Sequence, residues 1–326
     1  MAGTAGRLAR ELGRRCDVHS IGSPMHRLLA AIAFAATVAA PNPGQRGRPV
    51  ILLVHGRGLI GGDTTALRHL WFNALVSGAR RIDRDPPIDE GDVRLVWYAD
   101  VLDPRSSEGC DYTANDPRAR RAAASDPDLE NAVAAVGGFL DAITGVFDDS
   151  EVGSELRSVA GDVGFLSNAR KRCASEQRLA DAIDRAHREG RPVIVVAHSL
   201  GSIVAYDYLS TRTDSAAVRR LITVGSMVGS SDLRRLLVGG DSTDTLSVPK
   251  SVVSWINIRN EDDPFAAPVT VARDITTPVA KGEMDPHEMV GYLRNAVTAR
   301  AVLTGWCAAF MPTRPASCSD FVRAAP

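Results

Sequence analysis

The sequence predicts an α/β fold in which a mostly parallel sheet carries helices on both faces. Two observations predict it. Short apolar, β-branched runs alternate with longer segments whose apolar residues recur at helical spacing, and such alternation indicates parallel strands joined by right-handed crossovers. The chain of 326 residues is also 44% hydrophobic and 24% charged, which is enough apolar material for one large core.

The first part of the domain contains two predicted strands and one predicted helix. Residues 49–56 (PVILLVHG) form a short apolar run that ends in glycine, and residues 93–100 (VRLVWYAD) form a second run. Between them, Asp63 or Thr64 is suited to cap a helix. The apolar residues at helical spacing in this helix are Leu67, Leu70, Trp71 and Leu75.

Residues 101–174 interrupt the alternation. Pro, Ser and acidic residues surround one apolar, helix-like segment at 129–147, and a cysteine lies on either side of it. We interpret this stretch as a cap-like insertion after the second strand, within a single domain that covers residues 41–326.

Regular alternation resumes after the insertion. The pattern predicts three further strands, at 192–197, 220–226 and 251–258. It also predicts four helices, which cover 175–189, 202–211, 231–238 and 287–310. In such sheets ligands bind beyond the carboxyl ends of the strands, so catalytic residues are sought in the loops that follow the strands.

Residues 1–40 have the layout of an N-terminal extension that ends in a signal peptide. After Met25, which is a candidate start, one arginine precedes an apolar run that reaches Ala40, with a cleavage site near Ala39 or Ala40. The run of about 13 apolar residues is too short for a bilayer, which needs roughly 20, so we expect no transmembrane anchor. An apolar helix packed on the domain is the alternative.

The cysteines favour an oxidising compartment. Cys16 precedes the apolar run, which leaves four cysteines in the predicted mature chain: Cys110, Cys173, Cys307 and Cys318. Of the three pairings, sequence proximity favours Cys307–Cys318, and Cys110–Cys173 follows by elimination. We therefore expect a secreted or periplasmic protein; four unpaired thiols in a cytosolic protein are the alternative. There is no Cys-x-x-Cys spacing, so we expect no metal site.

The overall composition excludes one class of partner. The formal net charge is −1, there is no long basic run, and only 5% of the residues are aromatic. Binding of nucleic acid needs a basic surface and often aromatic side chains that stack on bases, so we expect no nucleic-acid partner.

The stretch AHSLG, Ala197–Gly201, joins a predicted buried strand directly to a helix. A strained strand-to-helix turn of this kind, a nucleophile elbow, presents a serine hydroxyl and requires small residues two positions before and after the serine. Ala197 and Gly201 meet that requirement, although glycine is the usual residue at the first position. Ser199 is therefore the predicted nucleophile, and an ordinary turn serine is the alternative.

A serine hydroxyl needs a general base, and histidine serves this purpose in the triads that contain an elbow. The chain order in such triads is serine, acid, histidine. Of the seven histidines, only His287 follows Ser199, and it begins the last predicted helix, from which its ring could reach the sheet edge. We interpret His198 as a support beneath the elbow.

The acid is expected in the loop after a later strand. The cluster IRNEDDPF, residues 258–265, follows the last predicted strand. Asp263 is the first choice, with Asp262 second and Glu261 third. Asp232, after the preceding strand, is a further alternative, and an acidic loop that is merely solvated is the non-catalytic interpretation.

Acyl transfer also needs N–H groups that stabilise the oxyanion of the intermediate. The residue after the nucleophile supplies one of them, so Leu200 is predicted. The loop after the first strand supplies the other, and that loop reads HGRG, His55–Gly58. The N–H of Arg57 is the first choice and that of Gly58 the alternative.

Together these motifs resemble the α/β-hydrolase superfamily, specifically its secreted bacterial esterase- and lipase-like members, over residues 48–310. The resemblance rests on the strand–HG loop, AHSLG, the strand with its Asp-Pro loop, and a late histidine before a terminal helix. It implies a Ser199–Asp263–His287 triad without metal or organic cofactor, and a cap over an acyl pocket. The first two antiparallel strands of the fullest fold are missing, so the sheet is expected to be minimal. The cap contains few aromatic residues, which disfavours a long-chain lipase.

We therefore expect a serine hydrolase that cleaves a small-molecule or lipid-like carboxylic ester through an acyl-enzyme. Two alternatives stay open. The same triad serves other acyl-transfer enzymes, such as a thioesterase, peptidase or acyltransferase, because pocket shape decides among them. A catalytically silent fold that only binds is the other alternative. The sequence indicates no oligomeric state.

Overall fold

The computed structural model shows one sheet of six strands. It describes residues 45–57, 59, 61–119, 165–166, 168–230, 233, 237, 246–278, 285–310, 315–319 and 321. The strands are β1 (Val50–Val54), β2 (Val93–Val96), β3 (Val193–His198), β4 (Arg220–Val224), β5 (Trp255–Asn260) and β6 (Arg273–Thr277). They lie in the order β2-β1-β3-β4-β5-β6, and every neighbouring pair is parallel.

Six α-helices accompany these strands in the described ranges. They are α1 (Thr64–Ala79), α2 (Ala99–Leu102), α3 (Ala169–Arg188), α4 (Leu200–Thr211), α5 (Met289–Arg294) and α6 (Ala296–Ala308). Short 3₁₀ turns occupy Glu90–Asp92 and Ala316–Cys318.

Alternate strand residues enter two hydrophobic cores, one on each face of the sheet. In β1, Val50, Leu52 and Val54 belong to one core, and Ile51 and Leu53 belong to the other. Helices α3 and α4 supply the first core, whereas α1, α5 and α6 supply the second. This confirms the predicted α/β fold, a parallel sheet with helices on both faces.

Several predicted boundaries are wrong. The second strand ends at Val96 instead of residue 100, because the chain enters α2 at Ala99. The long last helix is two helices, since Asn295 has an extended backbone and its side chain accepts the N–H of Val297 to cap α6. The sequence does not predict β6, because this edge strand reads RDITT and has no apolar run.

Both expected disulfides are present. Cys110–Cys173 joins the start of the insertion to α3, and Cys307–Cys318 joins α6 to the following 3₁₀ turn. Near the first disulfide, buried ion pairs connect α3 both to the insertion and to α4. Arg172 of α3 donates to Asp207 of α4, and Glu176 of α3 accepts from Arg118 of the insertion.

Other expectations lie outside the described residues. These are the extension and signal peptide at 1–40, the segment at 129–147 with most of the cap, and most of the helix at 231–238. In the part of the chain that the structure does describe, no helix is both long and apolar enough to cross a membrane.

Candidate active site

Ser199 lies in a sharp turn between β3 and α4. Its backbone angles are φ 51° and ψ −125°, and among the described residues only one other non-glycine residue, Ala216, has a positive φ. Residues other than glycine rarely adopt this backbone conformation, so it indicates a strained site. The N–H of Ser199 donates to the carbonyl of Val224 in the neighbouring strand, with N and O 3.2 Å apart, which holds the turn in place.

Close packing explains the glycine two residues after Ser199. A Cβ atom on Gly201 would lie 2.3 Å from the carbonyl oxygen of His55 and 2.8 Å from that of Val54. Because both are backbone atoms at the end of β1, no side chain fits. Ala197 on the other side is fully buried, and its small methyl group is accommodated within β3.

His287 bridges Ser199 and Asp263. Its Nε2 atom is 2.9 Å from the Ser199 hydroxyl oxygen, and its Nδ1 atom is 2.9 and 3.0 Å from the two carboxylate oxygens of Asp263. All three residues are buried, with at most 9% of their surface exposed. The structure therefore brings together the three residues that the sequence predicts as a triad.

The structure places the alternative acids differently. Asp263 also accepts the N–H of Phe265 at 2.9 Å and the Tyr292 hydroxyl at 2.6 Å, whereas Asp262 and Glu261 are exposed. A bonded, buried carboxylate is fixed in orientation, and an exposed one is not. The fourth alternative, Asp232, lies outside the described residues.

His198 supports the histidine loop from beneath. Its Nε2 atom is 2.6 Å from the carbonyl oxygen of His287, so this nitrogen carries the proton and donates it. Burial, followed by the neighbouring His287, lowers the pKa of His198 to about 3, and the ring is therefore neutral at neutral pH. The ring thus fixes the backbone of His287.

The loop after β1 lies against the nucleophile. A Cβ atom on Gly56 would lie 2.9 Å from the Cβ of Ser199, and the Gly56 carbonyl oxygen is 2.5 Å from Nδ1 of His55. The Nε2 atom of His55 accepts the N–H of Tyr98 at 3.1 Å, so Nδ1 is the nitrogen that donates.

This bond to the Gly56 carbonyl also restricts the next peptide N–H. In a trans peptide the N–H points opposite to the carbonyl, so the bond fixes the direction of the Arg57 N–H. Leu200 begins α4 directly after Ser199. The alternative donor Gly58 is outside the described residues.

A cavity of about 390 Å³ opens beside Ser199 and His287. Its apolar wall comes from α1 and α5, and its members are Leu67, Leu70, Trp71, Met289 and Val290. Arg57, Asp285 and Glu288 add polar groups. Cavities of this size and composition bind small molecules with an apolar part.

Sequence reasoning missed two aromatic residues at the site. The Phe265 ring packs on the His287 ring, with the ring centroids 4.4 Å apart. The Arg57 guanidinium also contacts Phe265 and lies 5.2 Å from its ring centroid. Tyr292 bonds to Asp263, as described above. In a sequence, both residues look like ordinary members of a hydrophobic core. The one sequence feature that points to a role at the site is their nearness to Asp263 and His287.

A parallel sheet of this order, with a serine elbow at the end of β3, defines the α/β-hydrolase class of fold. Within that class, a model of the lecithin:cholesterol acyltransferase family matches residues 168–269. This family comprises lipase-like acyltransferases with the same fold. The match covers about a third of the chain, including the elbow and Asp263 but not His287 or the HGRG loop. No curated protein matches the chain.

Gly225→Ala should disturb this site directly. Gly225 has φ +55°, and a Cβ there would lie 3.0 Å from Asp263 Oδ2 and 3.2 Å from His287 Cε1. We expect the rate at which a fluorophosphonate modifies Ser199 to fall at least tenfold.

Gly190→Ala is the matched control. Gly190 has φ +69°, so alanine is strained there too, but the three atoms nearest to its Cβ would all belong to the flexible side chain of Arg46. We expect both variants to lose about 1 kcal/mol or more of unfolding free energy. Equal modification rates in the two variants would contradict this account of the site.

Proposed function

We propose that the protein is a serine hydrolase that cleaves carboxylic esters. The observation that carries the proposal is His287, whose two ring nitrogens contact the Ser199 hydroxyl and the Asp263 carboxylate in a buried site. A serine, a base and a carboxylate in this arrangement activate the serine for attack on an acyl carbon. The partial match to a family of lipase-like acyltransferases supports the same class of chemistry.

The proposed reaction has two steps. Ser199 Oγ attacks the ester carbonyl carbon while His287 Nε2 takes the hydroxyl proton, and Asp263 stabilises the imidazolium. The backbone N–H groups of Leu200 and Arg57 stabilise the oxyanion. The imidazolium then gives its proton to the leaving alcohol as the C–O bond breaks. Water, deprotonated by His287, then attacks the acyl carbon; the bond to Ser199 Oγ breaks, the imidazolium returns the proton to Oγ, and the acid leaves.

The proposed substrate is an ester with an apolar acyl part. The cavity beside Ser199 presents leucine, tryptophan, methionine and valine side chains, and burial of an acyl chain against them contributes about 0.8 kcal/mol per methylene. This agrees with the coarser inference from the family match, which is a lipid-like ester.

Ser199→Ala should abolish labelling by an active-site fluorophosphonate, because the probe forms its P–O bond with an activated serine and expels fluoride. Asp263→Asn should lower the labelling rate about 10⁴-fold, since the amide no longer stabilises the imidazolium. The measurement is the second-order rate constant of labelling.

Asp262→Asn is the matched control for Asp263→Asn, because it makes the same change in an adjacent but exposed residue. We expect its labelling rate to stay within about twofold of the wild type. Wild-type protein that is folded but not labelled would refute the serine hydrolase. A loss of labelling in Asp262→Asn alone would refute the choice of acid.

Acyl transfer to an alcohol is the second candidate function. The match to an acyltransferase family is the observation that supports it. We expect hydrolysis to prevail, because the exposed carboxylates of Asp285 and Glu288 at the cavity leave a polar path for water. The measurement is the ratio of free acid to new ester when an activated acyl ester reacts in the presence of a millimolar primary alcohol. A product that is mostly the new ester would identify an acyltransferase instead.

We also propose that the protein is exported. Its two disulfides persist in oxidising compartments and are rare in the cytosol. When the full chain is expressed in a secretion-competent bacterium, we expect mature protein outside the cytoplasm that begins near Pro41 and has no free thiol. Mass spectrometry of the intact protein measures both. Active protein in the cytosol with an uncleaved N-terminus and reduced cysteines would contradict export.

A further inference from the structure

Tyr292 contacts the proposed triad acid, Asp263. It belongs to α5, five residues after His287, and its side chain is fully buried. Its hydroxyl oxygen is 2.6 Å from Oδ2 of Asp263, and it accepts the backbone N–H of Asn260 at 3.0 Å. One phenol group thus connects the strand end that carries the acid with the helix that follows the histidine.

The hydrogen bond between Tyr292 and Asp263 has a definite direction. The backbone N–H of Asn260 occupies an acceptor position of the phenol oxygen. Burial and then the charge of Asp263 raise the pKa of Tyr292, so the phenol stays protonated. The hydroxyl therefore donates to Oδ2 of Asp263.

The donors around Asp263 fix the plane of its carboxylate. Oδ1 accepts the backbone N–H of Phe265, Oδ2 accepts the Tyr292 hydroxyl, and Nδ1 of His287 lies within 3.0 Å of both oxygens. The Phe265 and Tyr292 bonds are on different oxygens, so together they prevent rotation of the group. Without the Tyr292 hydroxyl, the hydrogen bond to Oδ2 is lost and the Phe265 N–H bond to Oδ1 remains.

We propose that Tyr292 is a positioning residue for the proposed reaction: its hydroxyl, anchored by the N–H of Asn260, holds the Asp263 carboxylate against His287 and withdraws part of its negative charge. The proposal rests on the serine hydrolase function proposed above. Tyr292 itself does not reach the reacting atoms, so it acts through Asp263.

The proposal predicts a shift in the pH profile. His287 accepts a proton only when neutral, so the rate falls on the acid side as the ring becomes protonated. A carboxylate that loses a hydrogen-bond donor attracts the imidazolium more strongly, which moves the acid limb to higher pH. The other charged or titratable groups around His287 stay the same in the variant: His198, Asp285, Glu288, and Arg57 beyond Phe265.

The first experiment compares Tyr292→Phe with Tyr206→Phe in the full chain. Tyr206 is also fully buried, and its hydroxyl donates to the Ser247 carbonyl at 3.1 Å and accepts the Ser247 N–H at 3.3 Å, away from the triad. We expect the maximal fluorophosphonate labelling rate to fall about tenfold in Tyr292→Phe, with the acid limb of its pH profile moved upward. Tyr206→Phe should lose similar thermal stability and keep the wild-type rate and profile.

A second variant keeps the hydroxyl and the ring. Difluorotyrosine at position 292 is a stronger hydrogen-bond donor than tyrosine, so the acid limb should move to lower pH, opposite to Tyr292→Phe. If Tyr292→Phe does not fold, the difluorotyrosine variant still tests the positioning role of Tyr292. An unchanged acid limb in the folded variants would refute the role of Tyr292. Failure of the wild type to label would instead refute the proposed function, so the two failures are distinguishable.

Discussion

The uniform direction of the strands is the constraint on which the candidate site depends. Because all six strands are parallel, the loops after β3, β5 and β6 open at the same edge of the sheet. Ser199 and His287 are 88 residues apart in the chain and His287 and Asp263 are 24 apart, yet each pair is joined at 2.9 Å. An antiparallel β5 would carry its acidic loop to the opposite edge, and no bridging histidine could then reach both groups.

The strained backbone of Ser199 persists because several contacts hold it in place. A positive φ at a non-glycine residue costs about 1–3 kcal/mol, which the surrounding structure must offset. The N–H of Ser199 bonds to the end of β4, its carbonyl accepts the Ser202 hydroxyl, and Gly201 packs on the end of β1. The turn is therefore fixed by both strands adjacent to β3, and the hydroxyl faces His287 as a result.

The sequence predicts the fold class, and local chemistry and chain order select Ser199 and His287 and narrow the acid to the cluster at 261–263. The elbow needs small residues two positions before and after Ser199, and His287 is the only histidine that follows Ser199 in the chain. The sequence cannot separate Asp263 from Asp262, since burial and hydrogen bonds set them apart. It misses β6 because an edge strand needs no apolar run, and it misses Tyr292 because only the packing of α5 places its hydroxyl on Asp263.

Three histidines lie near Ser199, and burial of two of them explains why they differ in function from the third. It lowers the pKa of His55 to about 4 and that of His198 to about 3, so both rings are neutral at neutral pH. Each neutral ring donates to a backbone carbonyl, His55 to that of Gly56 and His198 to that of His287. The proposed base differs from both because its ring bonds a carboxylate, which stabilises the imidazolium that proton transfer creates. The two neutral rings thus hold the loop that carries the proposed oxyanion donor and the loop that carries the proposed base.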